Sequence, residues 1–135
     1  MGLLLDSDVI IDHLNSKSDY LSSIISISKE DLFMSIINWS EIIYGIRKSK
    51  DPIKSNKQFN GFIFDLNIKI LDLNLKIANK FIDLKIDLEK KGSKLEDFDL
   101  IIGATSILND LTLVTGNIKH FSRFPEIQIY PKKTS

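Results

Sequence analysis

Short apolar runs alternate along this chain with longer stretches of helical spacing. The short runs predict buried strands, and they cover residues 3–5, 32–35, 68–71 and 111–115. Apolar residues at intervals of three and four predict helices over residues 8–14, 20–27, 38–48, 59–64, 73–91 and 98–108. A last apolar run predicts a short edge strand at residues 127–130, ended by Pro131. Strands that alternate with helices in this way indicate an α/β fold with a parallel sheet.

Local signals mark the ends of several predicted helices. Ser7 is expected to cap the first helix at its N-terminus. Gly92 suits the position just after the long fifth helix. Residues 49–52 break the helical spacing. We find no linker, internal repeat or low-complexity tract that divides the chain, and we therefore expect one domain over residues 1–135.

The composition excludes several classes of protein. The hydrophobic fraction of 43% and the charged fraction of 27% are ordinary for a globular domain. The absence of cysteine rules out disulfides and a thiolate zinc site. No apolar stretch is long enough for a membrane span, and the first residues do not resemble a signal peptide, so we expect a cytoplasmic protein. With a net charge of +0, any contact with nucleic acid needs a local basic patch.

Asp6 closes the first predicted strand, in the run LLLDSD at residues 3–8. Ligands of open α/β sheets bind beyond the carboxyl ends of the strands, which makes Asp6 the first candidate for chemistry. Capping of the next helix explains a lone aspartate there equally well. Asp8 is interpreted as a first-turn acid that the helix dipole favours.

Two further acids stand close to apolar helix segments. Glu41 lies in the run NWSEIIYG at residues 38–45, and these apolar flanks favour a cleft position because an unpaired buried carboxylate is costly. Asp97 and Asp99 begin the apolar helix that continues through small residues at 103–106, which suggest close packing on the sheet. Asp97 is expected to cap this helix, and Asp99 is expected to face the cleft.

The fourth strand also ends in polar residues, at Thr115 and Asn117, although a simple turn explains them as well. Three basic side chains are candidates for contact with phosphate, with a solvated surface as the alternative interpretation: Arg47, Lys119 and Arg123. His13 and His120 are too few and too isolated for a histidine metal site, and we interpret both as structural.

Asp6, Glu41 and Asp99 are separated acids, each near a strand end or in a helix, and together they suit a hard divalent cation. Mg²⁺ and Mn²⁺ prefer oxygen ligands and support phosphate chemistry. Such a cation lowers the pKa of a bound water and stabilises charge on a phosphate, so no side-chain nucleophile is needed.

Taken in order, these segments resemble the PIN-domain ribonucleases, and most of all the VapC toxins of VapBC toxin–antitoxin modules. The matching runs are LLDSDVIID at 4–12, SEIIYG at 40–45, DLIIGA at 99–104 and LVTGN at 113–117, with Phe121 after them. The resemblance covers nearly the whole chain. It implies a three-layer α/β/α fold around a central, mainly parallel sheet of four or five strands, in which the first and fourth strands are neighbours.

The resemblance also implies roles for individual residues. Asp6, Glu41 and Asp99 match the positions that bind the metal, and Asn117 matches a fourth, often acidic, catalytic position. Residues in supporting positions are Ser7, Asp8 and Thr115. Asp8 stands where the family usually has Asn, and Asn117 removes a charge from the fourth position, which weakens any second metal site.

The activity implied is a Mg²⁺-dependent endoribonuclease, with Mn²⁺ as a substitute. Its substrate would be a structured RNA such as tRNA or rRNA. The resemblance further implies a homodimer and a cognate VapB-type antitoxin, whose C-terminal segment would lie over the apolar and acidic groove.

Two other functions stay open at this point. The run LDSDV at 5–9 also resembles the Asp-x-Asp motif of haloacid-dehalogenase-type phosphatases, with Asp6 as nucleophile and Asp8 as acid/base. That family needs a lysine and an acidic pair after the threonine motif, whereas the 20 residues after Thr115 contain one acid, Glu126. The other alternative is a PIN-like module that binds RNA or a partner without cutting, and the three retained acids argue against it.

Overall fold

The structure is a computed structural model that describes residues 2–131. Its strands are β1 (Gly2–Leu5), β2 (Asp31–Ser35), β3 (Lys69–Leu71), β4 (Leu111–Val114) and β5 (Gln128–Tyr130). Its helices are α1 (Ser7–Leu14), α2 (Tyr20–Ile27), α3 (Ile36–Arg47), α4 (Pro52–Asp65), α5 (Leu75–Lys90), α6 (Asp97–Leu108) and α7 (Ile118–Phe121). None of these helices combines the length and apolar composition needed to cross a membrane.

The five strands form one parallel sheet in the order β3-β2-β1-β4-β5. β1 lies in the centre, with β2 on one side and β4 on the other, so the order of the strands reverses at β1. Leu5 at the end of β1 is paired with Val114 at the end of β4. The predicted α/β class, the parallel sheet and the adjacency of the first and fourth strands are therefore confirmed.

Two apolar cores cover the two faces of the sheet. Successive strand residues point to opposite faces, and accordingly Leu3 and Leu5 belong to one core while Leu4 belongs to the other. The first core contains Ile42 of α3, together with residues of α1, α2 and α4. The second contains Leu100 of α6, together with residues of α5 and of the segment around α7. Helices on both faces confirm the predicted three-layer arrangement.

Several helix ends differ from the prediction, and capping explains three of them. Asp6, and not Ser7, caps α1, because the Asp6 carboxylate accepts a hydrogen bond from the Ser7 backbone N–H. α3 begins at Ile36, two residues earlier than predicted, because Ser35 caps it. Asn74 likewise starts α5 at Leu75. The four-residue helix α7 is too short for a periodic signal and was not predicted.

The small residues of α6 bring this helix close to its neighbours. A Cβ atom added to Gly103 would collide with the ring of Phe124. Ser106 donates a hydrogen bond to the Leu111 carbonyl of β4 over 2.9 Å. The expectation of close packing is confirmed, and this packing fixes the place of Asp99 at the other end of the helix.

Candidate functional site

Asp6 lies at the carboxyl end of the central strand and caps the helix that follows it. Its backbone N–H donates to the Val114 carbonyl over 2.9 Å, which extends the pairing of β1 with β4 by one residue. Its side chain is buried, with 8% of its surface exposed. The prediction left a cap and a site residue as alternatives, and the structure confirms the cap, while the site role stays a prediction.

The buried Asp6 carboxylate is surrounded by neutral donors from three parts of the chain. Its Oδ1 accepts hydrogen bonds from the Ser7 N–H over 2.8 Å and from the Asn38 side-chain amide over 3.0 Å. Its Oδ2 accepts from the Thr115 hydroxyl over 2.7 Å. Hydrogen bonds to the charged form offset the cost of burying a carboxylate. The site is thus built around an Asp6 that no cationic side chain neutralises among the described contacts.

Glu41 is half-buried on α3 and turns toward the same edge of the sheet. Its Oε1 accepts a hydrogen bond from the Ser7 hydroxyl over 2.7 Å. Burial raises the pKa of Glu41, and the nearby charges of Asp6 and Asp99 raise it further. The electrostatic coupling places these three acids in one neighbourhood.

Asp99 lies in the first turn of α6 and is also half-buried. Burial raises the pKa of Asp99, with a contribution from the charge of Asp6, while His120 acts in the opposite direction. The His120 Nε2 atom lies 3.0 Å from Asp99 Oδ2. The interpretation of His120 as an isolated residue is therefore wrong, because α7 folds back and brings the ring to the site.

Asp97 does not have the predicted capping role. The residue that precedes α6 is Glu96, whose side chain makes no capping hydrogen bond, and Asp97 is already the first helical residue. Asp97 instead forms an ion pair with Lys85 of α5 over 2.8 Å. Glu96 and Asp97 line an open cavity of about 500 Å³, together with Glu41, Phe98 and Asp99.

Asp8 holds the loop after β4 close to α1. Its Oδ1 accepts from the Val9 N–H over 2.7 Å, and its Oδ2 accepts from the Gly116 N–H over 3.0 Å. A Cβ atom on residue 116 would lie 2.8 Å from Asp8 Oδ2, so any larger residue there would push the Asp8 carboxylate aside. Burial and the charge of Asp6 raise the pKa of Asp8 to about 6.

Thr115 and Asn117 differ in how closely they join the site. The buried Thr115 hydroxyl donates to Asp6 and accepts from the Asn117 backbone N–H over 3.0 Å. Asn117 is exposed at the start of α7, and its side chain makes no capping hydrogen bond. The Asn117 amide is therefore available at the rim, beside Thr115.

The basic candidates lie at the periphery. Lys119 is exposed on α7, and Arg47 is exposed in the last turn of α3. Arg123 donates to the Lys94 carbonyl over 3.2 Å. His13 packs near the ring of Phe62, with centroids 5.3 Å apart, which agrees with a structural role.

Sequence reasoning missed Asn38, which is fully buried and contacts both Asp6 and Ser7. The available signal was the spacing of Ser35 and Asn38, which is that of a capping box. A capping box predicts a helix start but does not predict that the amide also reaches a strand end.

The oxygen donors of the site suit a hard cation, but the three carboxylates do not surround a common position. Across residues 2–131, no group of three Asp, Glu, His or Cys side chains is arranged to hold a metal ion. Asp6, Glu41 and Asp99 nevertheless interact electrostatically, and they offer only oxygen donors, as Mg²⁺ and Mn²⁺ prefer.

Comparison with known proteins agrees with this geometry. The family model for the PIN domain matches residues 3–127. The chain belongs to the PIN-domain family.

Its relatives in that family are VapC ribonucleases. The chain is 32% identical to Ribonuclease VapC2 of Rickettsia felis over 129 residues, covering 94% of this chain and 95% of the relative. It is 27% identical to the tRNA(fMet)-specific endonuclease VapC of Salmonella typhimurium, with 96% of each chain covered. The predicted resemblance to VapC toxins is confirmed.

Solved structures with the same fold include toxin–antitoxin complexes. A chain of VapBC2 from Rickettsia felis, crystallised with a DNA fragment from its promoter, superposes with a TM-score of 0.85 at 27% identity, covering 96% of this chain and 97% of that one. A chain of DNA-bound VapBC from Salmonella typhimurium gives a TM-score of 0.86 at 26% identity, with 96% of each covered.

Proposed function

We propose that this protein, as a single PIN domain over residues 1–135, is a Mg²⁺-dependent endoribonuclease toxin of a type II toxin–antitoxin module. The observation that carries the proposal is the electrostatic interaction of three acids near the carboxyl end of β1: Asp6, Glu41 and Asp99. The charge of Asp6 raises the pKa of Glu41 and of Asp99, and the hydrogen bonds that Asp6 accepts come from neutral donors. Such a cluster of negative charge gains stability from a divalent cation.

Asp6, Glu41 and Asp99 would hold the cation, with Mn²⁺ able to replace Mg²⁺. The cation would supply an activated water and stabilise negative charge on the phosphate. The oxygen of water attacks phosphorus, the bond to the 3′ oxygen breaks, and a proton passes to that oxygen, which leaves a 5′-phosphate. Asn117 is exposed at the rim and is suited to orient the water or the RNA.

The substrate and partners are inferred from relatives. Relatives are named as ribonucleases or as tRNA(fMet)-specific endonucleases, which supports structured RNA such as tRNA or rRNA as the substrate. Similar chains occur in VapBC complexes, which supports a VapB-type antitoxin as the partner. We further propose a homodimer that acts in the cytoplasm, where these RNAs are found, with Arg47, Lys119 and Arg123 as contacts for RNA phosphates.

Purified protein is expected to cut RNA only when a divalent cation is present. Total RNA incubated with the protein and Mg²⁺ or Mn²⁺ should give discrete fragments with 5′-phosphate ends, detected by ligation-dependent sequencing. An excess of EDTA should stop the cleavage, and added Mg²⁺ should restore it. Equal cleavage with and without EDTA would contradict the metal-dependent mechanism, and no cleavage in either condition would favour a module that only binds RNA.

Asp8→Asn distinguishes this nuclease from the phosphatase alternative. In the structure both Asp8 oxygens accept backbone hydrogen bonds, so we expect the variant to keep RNA cleavage within about tenfold of the unchanged protein, because only one such bond is lost. A phosphatase with Asp8 as acid/base would lose nearly all turnover, measured with a phosphate monoester. Comparison of the two rates for the same preparation decides between the mechanisms.

A further inference from the structure

Asn38 is a buried amide whose side chain uses its whole hydrogen-bonding capacity. Its Nδ2 group donates to Asp6 Oδ1 and to the Ser7 hydroxyl, both over 3.0 Å. Its Oδ1 accepts from the Ser35 hydroxyl over 2.7 Å and from the Ser35 N–H over 3.3 Å. None of its surface is exposed. A polar side chain this deep in the protein is therefore held in one position.

The orientation of the Asn38 amide is set by its neighbours. A backbone N–H can only donate, so the Ser35 N–H requires the oxygen of Asn38 on its side. The Nδ2 group must then face the Asp6 carboxylate, which can only accept. A flipped amide would place oxygen against oxygen at Asp6 and nitrogen against nitrogen at Ser35.

Through these two donated bonds, Asn38 acts on two of the three acids. It contacts Asp6 directly. It also donates to the Ser7 hydroxyl, which in turn donates to Glu41 Oε1 over 2.7 Å. Asn38 and Glu41 are three residues apart on α3 and so lie on the same face of the helix. A single amide thus links the end of β1 with the helix that carries Glu41.

The hydrogen bonds decide which carboxylate oxygens stay available. Each carboxylate oxygen has about two lone pairs, and the two on Asp6 Oδ1 are taken by Ser7 and Asn38. Asp6 Oδ2 accepts one bond, from Thr115, and keeps one lone pair. Glu41 Oε1 accepts from Ser7, while Oε2 accepts no hydrogen bond from the described residues. Asp6 Oδ2 and Glu41 Oε2 are therefore the oxygens that keep lone pairs for a cation.

We propose that Asn38 is a positioning residue, which orients Asp6 and Glu41 so that each presents one oxygen to the divalent cation. Asn38 acts on Asp6 directly, and it acts on Glu41 through the Ser7 hydroxyl. This inference rests on the proposed function of the site. Groups that hydrogen-bond to metal ligands fix their orientation, and loss of such a group typically weakens metal binding by about 10–100-fold.

The test measures Mn²⁺ binding to the purified full-length protein by electron paramagnetic resonance, without RNA. Asn38→Leu keeps a similar volume and removes both donors, and we expect its Mn²⁺ dissociation constant to rise by about 10–100-fold. Ser7→Ala should cause a smaller rise, and that rise should shrink in the Asn38→Leu background because both changes act on Glu41 through one chain of bonds. Excess Mn²⁺ should restore RNA cleavage by Asn38→Leu.

Ser106→Ala is the matched control. It removes the buried hydrogen bond from Ser106 of α6 to the Leu111 carbonyl and leaves the Asn38 contacts intact. It should lower the Tm and leave Mn²⁺ binding unchanged. If Asn38→Leu does not fold, Asn38→Ser retains one hydroxyl donor and should show an intermediate loss of affinity.

Folded Asn38→Leu or Asn38→Ser protein that binds Mn²⁺ within about twofold of the unchanged chain would overturn the positioning role and leave the proposed nuclease intact. If the unchanged protein itself binds no Mn²⁺, both proposals fail. The two failures are therefore distinguishable in one series of measurements.

Discussion

Replacing Asp6 by Asn is expected to lower RNA cleavage by about 100-fold or more. The substitution removes the charge at the centre of the acid cluster, and an amide binds a hard cation less strongly than a carboxylate does. A cation that stabilises charge on the reacting phosphate lowers the activation barrier by several kcal/mol. Loss of this stabilisation corresponds to a fall in rate of about 100-fold or more. The measurement is the initial rate of RNA cleavage at saturating Mg²⁺, with the Tm as a check of folding.

Asp12→Asn provides the control for this experiment. It removes the same charge from an exposed position on α1, about 1.7 turns beyond Asp6. Its cleavage rate should stay close to that of the unchanged protein. An Asp6→Asn protein that is folded and cuts at the rate of Asp12→Asn would contradict a metal-binding role for Asp6.

A divalent cation is expected to raise the Tm strongly at pH 8 and only weakly near pH 5. Burial raises the pKa of Glu41 and of Asp99, and the pKa of Asp8 rises from 3.8 to about 6. An acid whose pKa is raised by folding stabilises the folded state below its ordinary pKa, and this stability is lost as pH rises through the raised value. Without a cation, the contribution of Asp8 therefore falls between about pH 4 and pH 6, and the contributions of Glu41 and Asp99 fall as the pH rises through their raised pKa values.

The cation offsets the repulsion in the range of pH where the acids are ionised. At a concentration of about 100 times Kd, binding adds about 2.7 kcal/mol, which corresponds to roughly 10 °C in Tm for a domain of this size. Thermal melts with Mg²⁺ and with EDTA at several pH values measure the difference. Glu41→Gln should reduce both the shift and its dependence on pH. A shift that is larger at pH 5 than at pH 8 would contradict this account.

The fold could be predicted largely from the sequence because its strands are short, uniformly apolar and separated by helical spacing. Asp6 and Asp99 stand where such a pattern changes, at the end of β1 and at the start of α6. Local patterns therefore carry information on these two residues. Glu41 was less evident from the local pattern, because only the apolar residues on both sides of it favour a cleft.

The rest of the site depends on contacts between distant parts of the chain. Asn38 has the local pattern of a capping residue, and only the pairing of β1 with β2 brings Asp6 within its reach. His120 meets Asp99 because α7 places the His120 ring beside the first turn of α6. Asp6, and not the predicted Ser7, caps α1, because Asp6 directly follows β1 and its carboxylate accepts from the Ser7 N–H at the helix start. No spacing in the sequence encodes these distances.

The hydrogen bond between Asp6 and Thr115 joins residues that are 109 positions apart. A ribosome makes the chain from its N-terminus, so Asp6 and Glu41 emerge long before β4. Until β4 pairs with β1, the Asp6 carboxylate lacks the hydrogen bond from Thr115. The loop that carries Asn117 is then not held beside Asp6 either. The order of synthesis thus delays assembly of the site until β4 has left the ribosome. The site of an RNA-cutting enzyme built in this way is completed only after β4 has been translated and has paired with β1.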